Sequence, residues 1–206
     1  FSHLLPFFNK ALSFDFEDCK NYPSVQYLPL FYSNDVIAAI KDKNDALYDF
    51  FFMGWFFPER YQSVLRFVSY AKEHNYKLKA FLFMPFTTYI KYKLKGESID
   101  RSIVSLKHMS RSRYLENLAN SRVMVDVSNP NQTGLAMRII EALASQTKVL
   151  TNNLRLMDDK VIYDPEKIAF FDEKSPSVEP AFVTEIDFKQ MAKVLCLNEW
   201  LTVIFN

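Results

Sequence analysis

The apolar positions of this chain follow two rhythms, short continuous runs and recurrences at three and four residues, and the switches between them mark out its elements. Residues 48–54, Tyr-Asp-Phe-Phe-Phe-Met-Gly, form a continuous run that predicts a strand buried on both faces. Pro58 then suits the first turn of a helix, and Tyr61, Val64, Leu65, Val68 and Ala71 recur behind it at helical spacing. A strand over 76–83 closed by Pro85, a helix over 87–95 ended by Gly96 and a short strand over 103–106 follow. Ser110 or Ser112 is placed to cap a helix carrying Tyr114, Leu115, Leu118 and Ala119. Next come a strand over 122–127, a polar loop over 128–133, an amphipathic helix opened by Gly134, and a strand over 148–153. A strand over 168–171, an exposed loop over 172–184 holding Pro176 and Pro180, and helices over 188–195 and 198–204 close the chain. Residues 1–46 carry only short runs, read as strands near 12–14 and 25–28 and a short helix over 34–41.

Strands that alternate with helices imply an α/β fold, a Rossmann-like parallel sheet with helices on both faces joined by right-handed crossovers. Ligands of such sheets sit beyond the carboxyl ends of the strands. The loops after Gly54, Phe83, Leu106, Val127 and Leu150 are therefore where a site is expected.

The helix opened by Gly134 is the most informative element. At about 100° per residue, Gly134, Arg138, Glu141 and Ser145 share one narrow stripe. Leu135, Ile139, Ile140, Ala142 and Leu143 fill the rest and should pack on the sheet. Only three glycines occur in the chain, and one stands at this helix start, where unpaired N–H groups and a partial positive charge suit an anion. Glu141 lies two turns, roughly 10 Å, behind it. That separation suits a sugar nucleotide, diphosphate at one point and ribose hydroxyls at the other. The same stripe also reads as a solvated face with an Arg138–Glu141 ion pair. Other groups carry a similar double reading. Arg60 is a fork of donors for a diphosphate, or a surface arginine beside Glu59. Thr133 or Gln132 caps the helix, or joins Asn131 in hydrogen-bonding sugar hydroxyls. Asp126 reads as a carboxylate that satisfies the turn at its strand end.

Composition narrows function more than fold. With 206 residues, 49% apolar and 24% charged, the chain has the length for one core, or for one domain and a fragment of another. A net charge of +1 leaves no strong electrostatic case for nucleic acid. Basic runs at 91–95 and 107–113 are either solvated helix faces or contacts for an anionic membrane or a phosphorylated donor. Twenty Phe and eleven Tyr suggest aromatic surface that awaits a partner. Cys19 and Cys196 have no metal spacing and fit reduced thiols in a cytoplasmic protein. No run reaches the ~18 apolar residues of a membrane span, and no signal peptide is visible. Gly-x-Gly-x-x-Gly after a strand, a P-loop, His-Glu-x-x-His and a Cys-x-x-Cys pair are all missing from the sequence. Dinucleotide oxidoreductases, P-loop NTPases and zinc hydrolases are thereby disfavoured, and no metal site is expected.

Gly-Leu-x-x-Arg-x-x-Glu-Ala-Leu-Ala over 134–144, then a polar turn and a Lys-Val-Leu-Thr-Asn strand, resembles the donor-binding segment of GT-B glycosyltransferases. More narrowly, it is similar to bacterial enzymes of lipopolysaccharide and capsular polysaccharide assembly. Residues 13–18 and 26–30 resemble the end of the N-terminal half and the interdomain connection. Residues 51–54 resemble the first strand and glycine turn of the C-terminal half, and 197–201 its terminal helix. The likeness divides the chain into 1–46, the end of an N-terminal domain with the connection; 47–184, a nucleotide-sugar-binding domain; and 185–206, closing helices. Because the chain opens on Phe1 and its first residues resemble the close of a domain, an N-terminal half is expected ahead of it.

The resemblance implies a hexosyltransferase-like enzyme that works without cofactor or metal. It would bind a nucleoside diphosphate sugar, with UDP or GDP, and serve a glycan or lipid-linked acceptor. Glu141 would hold ribose, while Gly134 with Arg138 or Arg60 would hold the diphosphate beside the Gly54 turn. Gln132 and Thr133 would meet the sugar, and His108 and Met109 would line the base pocket. Any catalytic base would lie on the N-terminal half, so this chain alone would bind donor without turnover. The matching location is cytoplasmic, with peripheral contact on the inner face of the cytoplasmic membrane. The missing Asp-x-Asp in a strand-end loop disfavours metal-dependent GT-A transferases. Two departures stand out. Thr133 replaces the acidic residue that many such enzymes carry eight positions before the ribose glutamate, and Gln146 replaces a helix-ending glycine. The first leaves room for a non-enzymatic Rossmann-like scaffold module of a biosynthetic complex, while a GT-B-like sugar-nucleotide epimerase would share the same donor cradle.

Overall fold

The computed structural model of the protein describes residues 2–41, 43–128, 134–184 and 194–206. The N-terminal stretch of short apolar runs builds β1 (Ala11–Ser13), α1 (Phe16–Asn21), β2 (Val25–Tyr27) and α2 (Asn34–Ala38). β1 and β2 pair in parallel as a small sheet of their own. Asp15 caps α1, accepting from the Glu17 N–H at 2.9 Å.

The main apolar run becomes β3 (Tyr48–Trp55), followed by α3 (Pro58–Glu73), β4 (Leu78–Phe83), α4 (Phe86–Leu94) and β5 (Val104–Ser105). Then come α5 (Arg111–Ala119), β6 (Ser121–Asp126), α6 (Met137–Ala144), β7 (Lys148–Thr151) and β8 (Ile168–Phe170). α7 (Pro180–Thr184) and α8 (Leu197–Phe205) complete the order. Among the described residues, six strands form one parallel sheet in the order β5-β4-β3-β6-β7-β8. Counted from its own first strand this is 3-2-1-4-5-6, the doubly wound Rossmann order. The expected α/β architecture with helices on both faces is what the chain adopts.

Strand geometry sends neighbours to opposite faces, so β3 feeds two cores at once. Phe50 and Phe52 join Tyr61, Val64 and Phe67 of α3 on one side, with Tyr89 and Tyr92 of α4 packed against them. Phe51 joins Val36, Leu115, Leu118, Ile139 and Ile140 of α2, α5 and α6 on the other. Each Phe so buried contributes about 1.5–3 kcal/mol, which explains why this run was readable.

Several features depart from the sequence reading. α6 begins at Met137, with Ala136 as an extended N-cap, rather than at Gly134. Leu135, just before that N-cap, is drawn into the second core. The 172–184 stretch is not a wholly exposed loop, because Val178 and Val183 are buried in the first core and 180–184 are helical. Most of the helix expected over 188–195 lies outside the described residues. Lys43 is buried, donating from Nζ to the Leu118 and Ala119 carbonyls at 3.0 and 3.1 Å and to Thr147 Oγ1 at 2.8 Å. The negative end of α5 thus replaces part of the hydration the lysine loses, although burial still pulls its pKa down to about 7.

The two ends of the chain meet. Leu197 N–H donates to the Tyr32 carbonyl at 2.9 Å, Tyr32 N–H donates to that of Leu195 at 3.0 Å, and Trp200 Nε1 donates to Pro29 O at 2.9 Å. No helix among the described residues is long and apolar enough to cross a membrane.

Candidate functional site

β3 and β6 lie side by side, and the chain leaves them for opposite faces, to α3 on one side and α6 on the other. That divergence is the switch point where a doubly wound sheet opens a crevice. Four candidate residues converge there.

Gly54 stands near the end of β3, inside the strand and not in the following loop. A Cβ on it would press the Phe52 ring at 3.1 Å and touch Arg138 Nη1 at 3.4 Å and Arg60 Cδ at 3.5 Å. Glycine therefore allows two guanidiniums to close on the strand end. Arg60 is 8% exposed, not a surface arginine. Its Nε donates to the Val127 carbonyl at 3.0 Å and its Nη1 to that of Trp55 at 3.2 Å. Arg138 Nη1 donates to the Met53 carbonyl at 2.7 Å, and its Nε faces Asp126 Oδ1 at 3.5 Å.

Asp126 is fully buried, and its Oδ2 accepts from Ser128 Oγ at 2.6 Å and Thr151 Oγ1 at 2.9 Å. Among the described residues its Oδ1 makes no hydrogen bond and faces Arg138 Nε. The turn-satisfying role expected of Asp126 is thus joined by a second one. Arg138 pairs with Asp126, and Arg60 lies within electrostatic reach of both. Burial lowers the Arg60 pKa, the Arg138 charge lowers it further, and Asp126 opposes the shift. A further anion at this point would relieve the repulsion between the arginines.

The start of α6 faces the same region, and its N-cap, Ala136, supplies no side-chain hydrogen bond. Gly134 precedes that start by three residues, buried, and its added Cβ would strike the Phe14 ring at 2.6 Å. It is therefore covered by the N-terminal segment and does not form the mouth of the helix. Gln132 and Thr133, with Asn131, lie outside the described residues.

Glu141 is 5% exposed and is paired with Arg111, not with Arg138. Its Oε1 accepts from Arg111 Nη1 at 2.6 Å. Arg111 also grips Asp35 through Nε–Oδ2 at 2.9 Å and Nη2–Oδ1 at 3.0 Å, and reaches Ser33 Oγ at 3.1 Å. This grip holds the Asp35 carboxyl down at about 2. Beside them lies the buried Tyr114 hydroxyl, next to Glu141. Burial first, then the Glu141 charge, raises its pKa well above the usual phenol value. Two carboxylates share one guanidinium in this cluster. Arg111 is itself half-exposed.

An aromatic shelf adjoins the crevice. Trp55 meets Phe83 edge-on at 5.0 Å, at the carboxyl ends of β3 and β4. His108 stacks on Phe83 at 3.6 Å and meets Trp55 at 5.7 Å. Met109 is half-buried against α5, its sulfur accepting from Asn117 Nδ2 at 3.7 Å. Both residues border a cleft of about 410 Å³ that Lys107 and Arg113 also line. Among the described residues no group of three His, Cys, Asp or Glu is placed to hold a metal.

The structure therefore unites Gly54, Arg60 and Arg138, and sets His108 on the neighbouring shelf. It separates Glu141 into another cluster built with Arg111 and Asp35, which the sequence reading missed. Arg111 was visible only as one charge of a basic run, and nothing local marked its partners.

No family model and no curated protein matches the chain. Among solved structures it is similar to the C-terminal domain of a glycosyl transferase group 1 family protein, LpcC, from Francisella tularensis. That match has 14% identity and a TM-score of 0.42, covering 85% of this chain and 95% of that one. A GtfA/B complex is similar at 12% identity and a TM-score of 0.45, over 92% of this chain and 36% of that one. The class itself follows from strand order: this is a doubly wound, Rossmann-like α/β domain with two arginines gathered at its switch point.

Proposed function

We propose that this chain is the donor-binding part of a GT-B-type glycosyltransferase. It would take a nucleoside diphosphate sugar, with UDP or GDP, for transfer to a glycan or lipid-linked acceptor in cell-surface polysaccharide synthesis in the bacterial cytoplasm. The observation that carries the reading is the pairing of Arg60 and Arg138 around a single carboxylate at the β3/β6 switch point. A diphosphate there neutralises the excess charge, and the two guanidiniums stabilise it as a leaving group without a metal or cofactor. The first turn of α6 adds backbone donors. The Trp55–His108 shelf offers a face for the base. Glu141 takes the ribose once its hydroxyls displace the exposed Arg111 side chain.

The test is a thermal titration with UDP, GDP and dTDP. A ligand that binds only the native state raises stability, by about 2.7 kcal/mol at one hundred times its Kd. A response to one nucleotide at millimolar levels supports the reading, and Glu141→Gln should weaken it while leaving the protein folded. Calorimetry that shows unchanged affinity in this variant would remove Glu141 from the site. One observation favours a second reading, a non-enzymatic scaffold. Both arginines already donate to strand carbonyls and Glu141 is already paired. Silence towards all three nucleotides would select it.

A further inference from the structure

Helix α4 wears its apolar residues on the outside. Its sequence, Phe-Thr-Thr-Tyr-Ile-Lys-Tyr-Lys-Leu, turns Tyr89 and Tyr92 inward against the α3 side of the core. Phe86, Ile90 and Leu94 recur every fourth residue and so share the opposite stripe. They are 61%, 39% and 83% exposed. At about 100° per residue, Lys91 flanks this stripe on one side and Lys93 on the other. Lys95 caps the helix end. Lys93 and Arg101 both lie over the Tyr89 ring, at 5.8 and 5.2 Å, which holds two cations beside the stripe. The helix contains no acidic residue. Of the nearby acids, Asp100 is engaged by Ser102, while Glu59 and Glu97 line the cleft around Tyr92, on the inward flank.

We infer that α4 lays this outer face on an anionic lipid bilayer. An apolar ridge pointing straight outward between lysines is the arrangement of an interfacial helix, where the ridge enters the acyl boundary and the lysines meet headgroup phosphates. A helix of nine residues lies on the surface and does not span it. A protein partner with an acidic groove would meet the same charges. The bilayer is favoured because the ridge is narrow, convex and bordered by cations on both flanks. The inference stands apart from donor binding, since the stripe and the β3/β6 crevice share no residue.

The experiment is co-sedimentation of the full chain with phosphatidylcholine vesicles, with and without about 30% phosphatidylglycerol as the anionic lipid. The wild type should pellet only with the anionic vesicles and be released by salt. Phe86→Ser/Ile90→Ser/Leu94→Ser should cut the partition about tenfold or more with unchanged circular dichroism, since all three side chains are exposed. Lys91→Glu/Lys93→Glu should lower it at least about 25-fold, at about fivefold per lysine lost. Phe86→Trp provides an independent reading, a blue shift of its emission on vesicle addition. The inference is overturned by a wild type that stays in the supernatant, by equal binding to pure phosphatidylcholine, or by a triple serine variant that binds as well as wild type. Concentration-dependent dimers abolished by the triple variant, without vesicle binding, would assign the face to a second copy instead.

Discussion

Helix α6 carries two ion clusters of opposite balance, one turn apart. Near its start, Arg138 pairs with Asp126 while Arg60 lies within electrostatic reach, two cations to one carboxylate. One turn on, Glu141 and Asp35 enclose Arg111, two carboxylates to one cation. The first cluster is buried and bonded to strand carbonyls, whereas the second opens to solvent at Arg111 and Asp35. The difference bears on both stability and ligand preference. Excess cation in a closed crevice attracts phosphate, and excess carboxylate behind a movable arginine suits hydroxyl donors.

The comparison breaks most readily at Asp126. Removing a buried partner leaves uncompensated charge, so Asp126→Ala should destabilise by about 3–5 kcal/mol in urea unfolding. A loss below about 1 kcal/mol would show that the arginines are balanced elsewhere. Glu141→Gln should cost less, about 1–3 kcal/mol, because Arg111 keeps its bidentate grip on Asp35. Equal losses for the two variants would erase the asymmetry.

Asp35→Asn should cost under about 1 kcal/mol at neutral pH, being an exposed partner. Its signature is the pH dependence. The folded carboxyl is depressed to about 2 by Arg111, so its contribution is whole above the unfolded value of about 3.9 and drains as pH falls towards 2. Melting scans between pH 5 and 2 should therefore show a shallower acid limb in the variant than in the wild type. The smallest expected effect is with inorganic pyrophosphate, which at its own Kd adds about 0.4 kcal/mol. Arg60→Gln should abolish that gain, and Asp35→Asn should leave it intact. The reverse ranking would place the anion in the wrong cluster.

Fold and site were legible to different degrees. β3, β6 and β7 were placed within two residues because strands buried on both faces must be apolar throughout. Pro58 marked the start of α3, and the Ser110 alternative for α5 is realised, its hydroxyl accepting from Arg113 N–H at 3.3 Å. α6 was misplaced at its start because a glycine imitates a helix mouth, whereas Gly134 answers a packing need beneath Phe14. Arg60 was readable as a candidate but not as buried, since a charge reads as exposed until its partners are known. Lys43 gave no local signal, and Arg111 only that of one charge in a basic run. The partners of Arg111 lie 30 and 76 residues away, beyond any periodicity.

What the amino-acid order determined alone is the succession of strands and helices and the residues that face the core. Burial of apolar surface is local in its demands, and a period of two or of 3.6 records it directly. Which charges are buried, which are shared and which face a crevice was settled only when parallel pairing brought β3 beside β6 and α2 beside α5 and α6. A buried ion is tolerated only against specific partners at hydrogen-bonding distance, and those distances exist only in the folded chain.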